Sequence, residues 1–230
     1  MTPDPVAPVI AVDGPVGSGK GVICHRLAKA LGFHLLDSGA LYRLIGLAAR
    51  KHGVPLDDED ALADLAHELD IEFRPTSDPE EPLSVHLEGE DVTRAIRTDQ
   101  AGTDASVVAP LSRVREAIKA LQRSFKKPPG LVADGRDMGT VVFTDAEAKI
   151  YLTASAEARA ERRYKQLIDK GISVSLHDLF LSIQARDDRD MNREVAPLVP
   201  APDAIIIDST DLTIDQVFEQ VLTIVGEKIG

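Results

Sequence analysis

One stretch limits the folds open to this chain more than any other: Val9 to Val22, reading VIAVDGPVGSGKGV. The apolar run Val9 to Val12 ends in Asp13 and breaks into Gly14-Pro15-Val16-Gly17-Ser18-Gly19-Lys20, with Gly21 and Val22 behind it. Leu27, Ala30 and Leu31 then recur at helical spacing from Ile23. Strand, glycine loop, lysine and helix in immediate succession are the setting a phosphate-binding loop requires. The glycines let the backbone curl until successive N–H groups face one point. The helix N-terminus adds partial positive charge, and Lys20 is placed to reach β- and γ-phosphates. An ordinary glycine turn between strand and helix is the plainer alternative; the flanking elements favour the nucleotide-phosphate site.

The same grammar returns along the chain. Phe33 to Leu36 reads as a strand closed by Asp37, followed by Ser38-Gly39-Ala40 and a helix carrying Tyr42 and Arg43 in its first turn. Leu131 to Asp134 is a further strand ending in aspartate and running into Gly135-Arg136-Asp137-Met138-Gly139-Thr140. Ile150 to Leu152 and Ala204 to Ile207 complete five strand candidates, four of them closed by Asp13, Asp37, Asp134 and Asp208. Strands alternating with helices predict an α/β fold, a doubly wound five-stranded parallel sheet with its ligand beyond the carboxyl ends of the strands. A strand-ending acid is a weak sign of the second phosphate-site motif, which orients magnesium or its waters; pairing with Lys20 gives Asp134 its value.

Residues 55 to 100 follow a different pattern. Asp57 or Asp58 caps a helix striped by Leu62, Leu65, Ala66 and Leu69. Ile71 to Arg74, a proline-rich acidic turn through Pro82, the alternating Leu83 to Glu88 and a turn at Gly89-Glu90-Asp91 predict a small antiparallel insert. A long helix is expected over about Ser112 to Lys127, with Lys126 and Lys127 favouring its C-terminal dipole. Ser155 should cap a helix bearing Arg159, Arg162, Arg163 and Lys165. Ser175 should cap a second that ends in RDDRDMNR, and Thr213 with Gln216 a last. Much of this charge suits a solvated face. In a chain of net charge −12, arginine at this density on two successive helices also suits a polyphosphate clamp.

The net negative charge argues against nonspecific binding to nucleic acid or acidic membranes. Cys24 is the only cysteine, which excludes an intrachain disulfide and a thiolate cluster, and the six histidines form no HExxH pair, so no permanent metal site is expected. The start Met1-Thr2-Pro3-Asp4-Pro5 lacks the basic and apolar regions of a signal peptide, and no apolar run reaches spanning length; the expectation is a cytoplasmic protein. A guanine-nucleotide switch needs an asparagine-lysine-x-aspartate base reader, but the only asparagine, Asn192, precedes arginine. A small kinase fits: one nucleotide on the loop, a second substrate under the insert, arginines closing over both.

GPVGSGKG, HLLDSGALYR, ADGRDMGTVVF and RDDRDMNREVAPLVP, in this order and spacing, closely resemble bacterial cytidylate kinases over about Pro8 to Val225. The resemblance implies transfer of the γ-phosphoryl of ATP to CMP or dCMP with Mg²⁺, on a monomer. It implies one P-loop kinase domain with a core of about 8–54, 107–155 and 194–230, a monophosphate-binding insert of about 55–106 and a lid of about 156–193. By position, Gly14, Pro15, Val16, Gly17, Ser18, Gly19, Lys20, Gly21 and Val22 match the ATP loop. Ser106, Arg115 and Asp137 match the cytosine readers, and Arg43, Arg136, Arg186 and Arg193 the acceptor-phosphate residues, with Arg186 and Asp190 near the sugar and Ser38 and Tyr42 lining the site. Arg162 and Arg163 fall where the family's lid offers cations to the ATP phosphates. Lys20, Arg136, Arg162, Arg163 and Arg186 are then the residues expected to carry the transfer.

One position departs from the pattern. Kinases of this kind commonly follow the loop lysine with Gly-Thr, where this chain has Gly21-Val22. Val22 keeps threonine's shape without the hydroxyl, so a phosphate or magnesium ligand is missing, and water held by Asp37 or Asp134 is the expected substitute. Two other functions compete: a P-loop kinase for another small acceptor such as UMP, and a nucleotide-binding regulatory protein that no longer transfers phosphate.

Overall fold

The structure, a computed structural model, describes residues 7–75, 83–169 and 171–229. The chain packs as two compact units, Met1–Asp37 with Gln122–Gly230, and Ser38–Leu121. The proline-rich turn expected through Pro82 and the N-terminal segment Met1–Pro5 lie outside the described residues.

The first unit is built on five parallel strands. β1 (Val9–Asp13) leads through α1 (Lys20–Leu31) to β2 (His34–Asp37). The segment from Gln122 onward adds β6 (Leu131–Gly135), a π-turn (Met138–Val142), β7 (Ala148–Thr153), α6 (Ala156–Asp169), α7 (Leu176–Asn192), β8 (Ile205–Asp208) and α8 (Ile214–Ile229). The strand order is β2-β6-β1-β7-β8. Val9, Ile10, Ala11 and Val12 have no exposed surface, as expected of a central parallel strand covered on both faces. Ile23, Cys24 and Leu27 of α1 and Val217, Val221 and Val225 of α8 recur at helical spacing and join the strand residues in one buried cluster. Cys24 is a free, buried thiol there and packs as a small apolar residue. From β1 the chain reaches β2 on one side of the sheet, while β7 and β8 lie on the other. The crevice such a reversal opens lies at the carboxyl end of β1, where the glycine loop begins.

The second unit holds α2 (Ser38–His52), α3 (Glu59–Glu68), the antiparallel strands β3 (Ile71–Pro75), β4 (Leu83–Leu87) and β5 (Glu90–Asp91), a 3₁₀ turn (Ala95–Arg97), α4 (Asp99–Val108) and most of α5 (Ser112–Ser124). Asp58 caps α3 by accepting from Ala61 N at 3.1 Å. Three details differ from the sequence expectation. Glu90 and Asp91 are paired strand residues, opposite Leu87 and His86, and the turn falls on Glu88 and Gly89, both with positive φ (50° and 82°). That two-residue loop matches the twist of the strands it joins. α5 stops at Ser124: Phe125 and Lys126 bond three residues back, which tightens the end, and Lys126 pairs with Asp145 at 3.2 Å instead of serving the helix dipole. α4 was not anticipated, because DQAGTDASVV is too small-residued to show an apolar stripe. Packing forms it: Thr98 caps it, and a Cβ on Gly46 of α2 would lie 2.8 Å from Asp104 Cβ, so the two helices approach as closely as glycine allows. Arg50 of α2 forks onto the buried Asp104. α2 belongs to this second unit.

Among the described residues, no helix is long and apolar enough to cross a membrane.

Candidate active site

The glycine loop takes its shape from contacts only glycine permits. Gly14 leaves β1 with φ 154°, and a Cβ there would sit 2.0 Å from the backbone oxygen of Leu152 on β7. Gly19 turns into α1 with φ 93° as its N-cap residue. Lys20 opens the helix and folds back over the loop, its Nζ donating to Pro15 O at 3.3 Å and standing 4.0 Å from Asp134 Oδ1. Burial pushes the Lys20 ammonium below its ordinary value, Asp134 opposes that, and nearby Arg136 adds to it.

The strand ends converge beside this lysine. Asp37 and Asp134 are register partners on β2 and β6. Arg136 follows β6, and its guanidinium bonds to the carboxylate of Asp190 on α7. Burial would lower the Arg136 pKa, but Asp190, Asp134 and Asp37 together hold it above its usual value. One turn before Asp190, Asp187 forks onto Arg159 of α6 at 3.0 and 2.5 Å, both side chains buried. The first unit thus gathers Lys20, Asp134, Arg136 and Asp190 in one charged cluster at the carboxyl ends of its strands. Arg186 and Arg193 are partly buried, Arg193 donating to Ala196 O. Arg163 is partly exposed, while Arg162 is turned to Ser209 and to the Thr210 carbonyl.

Two residues beyond the sequence expectation stand out. Asp13 is 4% exposed and accepts the N–H groups of Met138 and Gly139, both at 2.8 Å, pinning the turn that follows Asp137. Burial pushes its carboxyl up to about 7, against the pull of those two hydrogen bonds. Arg159 is the other. Its place in the arginine-rich helix was visible; its buried partner, 28 residues away, was not.

In the second unit, Arg115 of α5 is buried and donates to Tyr42 Oη at 3.1 Å and to Ala109 O at 3.3 Å. Arg43 donates to Ile96 O at 3.2 Å. Ser38 is buried at the start of α2. Ser106 Oγ donates to Gly102 O at 3.0 Å, which leaves its oxygen as an acceptor.

A family model described as cytidylate kinase matches residues 10–227. The chain belongs to the cytidylate kinase family. The cytidylate kinase of Aeromonas salmonicida is 56% identical over 98% of this chain and 96% of its own. That of Shewanella amazonensis is 56% identical over 97% and 96%. That of Vibrio parahaemolyticus is 57% identical over 97% of each.

Within this cytidylate kinase family member the site fits a triphosphate and its cation. Ser18 Oγ is buried in the loop with no hydrogen-bond partner among the described residues. No group of three or more His, Cys, Asp or Glu is arranged to hold a metal by itself among the described residues. The carboxylates of Asp37 and Asp134, register partners at the ends of β2 and β6, are hard oxygen donors of the kind Mg²⁺ takes together with waters and substrate phosphates. Val22 is half exposed and brings no hydroxyl.

Proposed function

We propose that this chain phosphorylates CMP and dCMP with ATP, giving CDP or dCDP and ADP by direct in-line transfer. The observation that carries the proposal is the glycine loop with Lys20 folded across it beside Asp134 and Arg136, at the carboxyl ends of β1 and β6. Residues Gly14 to Val22 cradle the ATP phosphates through the backbone N–H groups of all but Pro15, and Lys20 supplies the charge the β- and γ-phosphates need.

The acceptor phosphate is already an anionic nucleophile, so no general base is required. Catalysis is alignment plus neutralisation of charge on the moving phosphoryl group. Lys20, Arg136, Arg162, Arg163 and Arg186 are assigned that neutralisation. Asp37 or Asp134 would hold, through waters, the Mg²⁺ that accompanies ATP, and that ion would supply further shielding of the phosphate charge. Arg43, Arg136, Arg186 and Arg193 are assigned to the acceptor phosphate, Asp190 to the sugar, and Ser38 and Tyr42 to the same nucleotide. Ser106, Arg115 and Asp137 are assigned to the base: cytosine presents an amine to acceptors and O2 and N3 to donors, and uracil presents no amine. The enzyme is taken as a monomer of the cytoplasm.

ADP release measured with CMP, dCMP, UMP and AMP tests this reading. CMP and dCMP should lead. Faster turnover with UMP would overturn the base assignment, and ATP binding without CMP-dependent turnover would leave a nucleotide-binding regulatory protein.

A further inference from the structure

A phosphate nest needs more than glycines. In a trans peptide the carbonyl of one residue points opposite to the N–H of the next, so the direction of each inward N–H is set by where the preceding carbonyl is held. Three carbonyls of this loop are held by side chains, two of them from elsewhere in the fold. Pro15 O accepts from Lys20. Val16 O accepts from Arg159 at 3.1 Å. Ser18 O accepts from the hydroxyl of Ser209 at 3.2 Å.

Neither of the last two partners is placed casually. Arg159 is 4% exposed, donates through Nε to Ala154 O at 2.9 Å, and has its fork closed on Asp187, so its reach toward Val16 is fixed from two sides. A side chain at Gly17, whose φ is 77°, would crowd the Arg159 Cβ at 3.2 Å. Ser209, 1% exposed after β8, receives Arg162 Nη1 on its oxygen at 3.1 Å. A hydroxyl has one hydrogen, and with its oxygen engaged by the guanidinium that hydrogen is shared between the carbonyls of Ser18 (3.2 Å) and Thr153 (3.0 Å).

We infer that Arg159 and Ser209 are positioning residues for the phosphate loop, fixing the N–H directions of Gly17 and Gly19 by holding the carbonyls of Val16 and Ser18. Asp187 orients the first and Arg162 the second. Arg159 and Arg162 of α6 therefore both serve the loop backbone in this structure, one directly and one through a serine. The inference rests on the reading of the loop as the ATP triphosphate site and adds which residues outside the loop set its geometry.

Ser209→Ala and Arg159→Lys test it, with wild type as the control. The first loses one hydroxyl. The second keeps the charge but loses the fork that reaches Asp187 and Val16 together. Affinities for ATP with Mg²⁺ and for inorganic triphosphate are measured by calorimetry, and KM for ATP and for CMP by ADP release. One net hydrogen bond is worth about a fivefold change in affinity. Each variant should weaken ATP and inorganic triphosphate by about that factor or more, raise KM for ATP in step, and leave KM for CMP unchanged. Loss for ATP but not for triphosphate would place the effect at the nucleoside end and overturn the inference. So would KM values for ATP and CMP rising together, or no change in a variant that stays folded. Wild type binding neither ATP nor triphosphate would overturn the functional reading itself.

Discussion

Replacing Asp13 by asparagine separates charge from shape at a deeply buried carboxylate beside the loop. Asp13 faces Asp134 and Asp137, which raise its pKa further, and the ring of Tyr151 lies close enough to feel its charge. With the folded pKa at about 7, the folded chain keeps a proton that the unfolded chain releases near pH ~4. Stability from this group is therefore complete below pH ~4 and is lost as the pH climbs through about 7. At about 1.4 kcal/mol per pH unit, raising the pH from 5 to 8 removes roughly 3 kcal/mol. That is a large part of a net stability of about 5–15 kcal/mol and corresponds to a melting-temperature drop of roughly 6–12 °C for a chain of this size. Asparagine has no such titration. Its NH₂ facing a buried N–H costs about 1–3 kcal/mol, but at both pH values, so it cancels in the comparison. Urea unfolding of wild type and Asp13→Asn at pH 5 and pH 8 should show wild type losing roughly 3 kcal/mol more than the variant. Equal losses in the two proteins, within about 0.5 kcal/mol, would refute the raised pKa and with it the burial argument.

Other outcomes follow from the same geometry. Val22→Thr, at a half-exposed position, should leave the melting temperature unchanged and tighten ATP binding in the presence of Mg²⁺; unchanged affinity in calorimetry would show the hydroxyl to be unimportant. Arg136→Met should lower kcat by about 10³ if the guanidinium meets the transferring phosphoryl group. It should also destabilise the fold by about 3–5 kcal/mol by stranding Asp190, so kinetics are read on protein shown folded by circular dichroism. Gly14→Ala should fail to fold or lose loop function entirely, because its Cβ would meet a backbone oxygen at 2.0 Å rather than a movable side chain; soluble protein with normal ATP affinity would contradict this.

Residues 9 to 31 declared themselves because every cue there is local. An apolar run, glycines at sharp turns and a helical period act between neighbours in sequence, and so do the capping pairs Ser155–Ala158 and Thr213–Gln216. The family motifs pointed to Arg43, Arg136, Arg186 and Arg193, the arginines proposed for the acceptor phosphate. Tertiary structure decided the rest, because burial and partners depend on residues far apart in the chain. Asp13 read only as a strand-closing acid until its N–H partners, 125 and 126 residues on, enclosed it. Arg159 and Arg162 looked alike on one helix, yet one is locked into a buried pair with Asp187 and the other is turned to Ser209. Helix α4 carries too little apolar contrast to be seen alone and exists because small residues let it press against α2. The sequence by itself determined that a phosphate loop would form, through local stereochemistry; only the packed fold decided which distant side chains hold that loop's carbonyls.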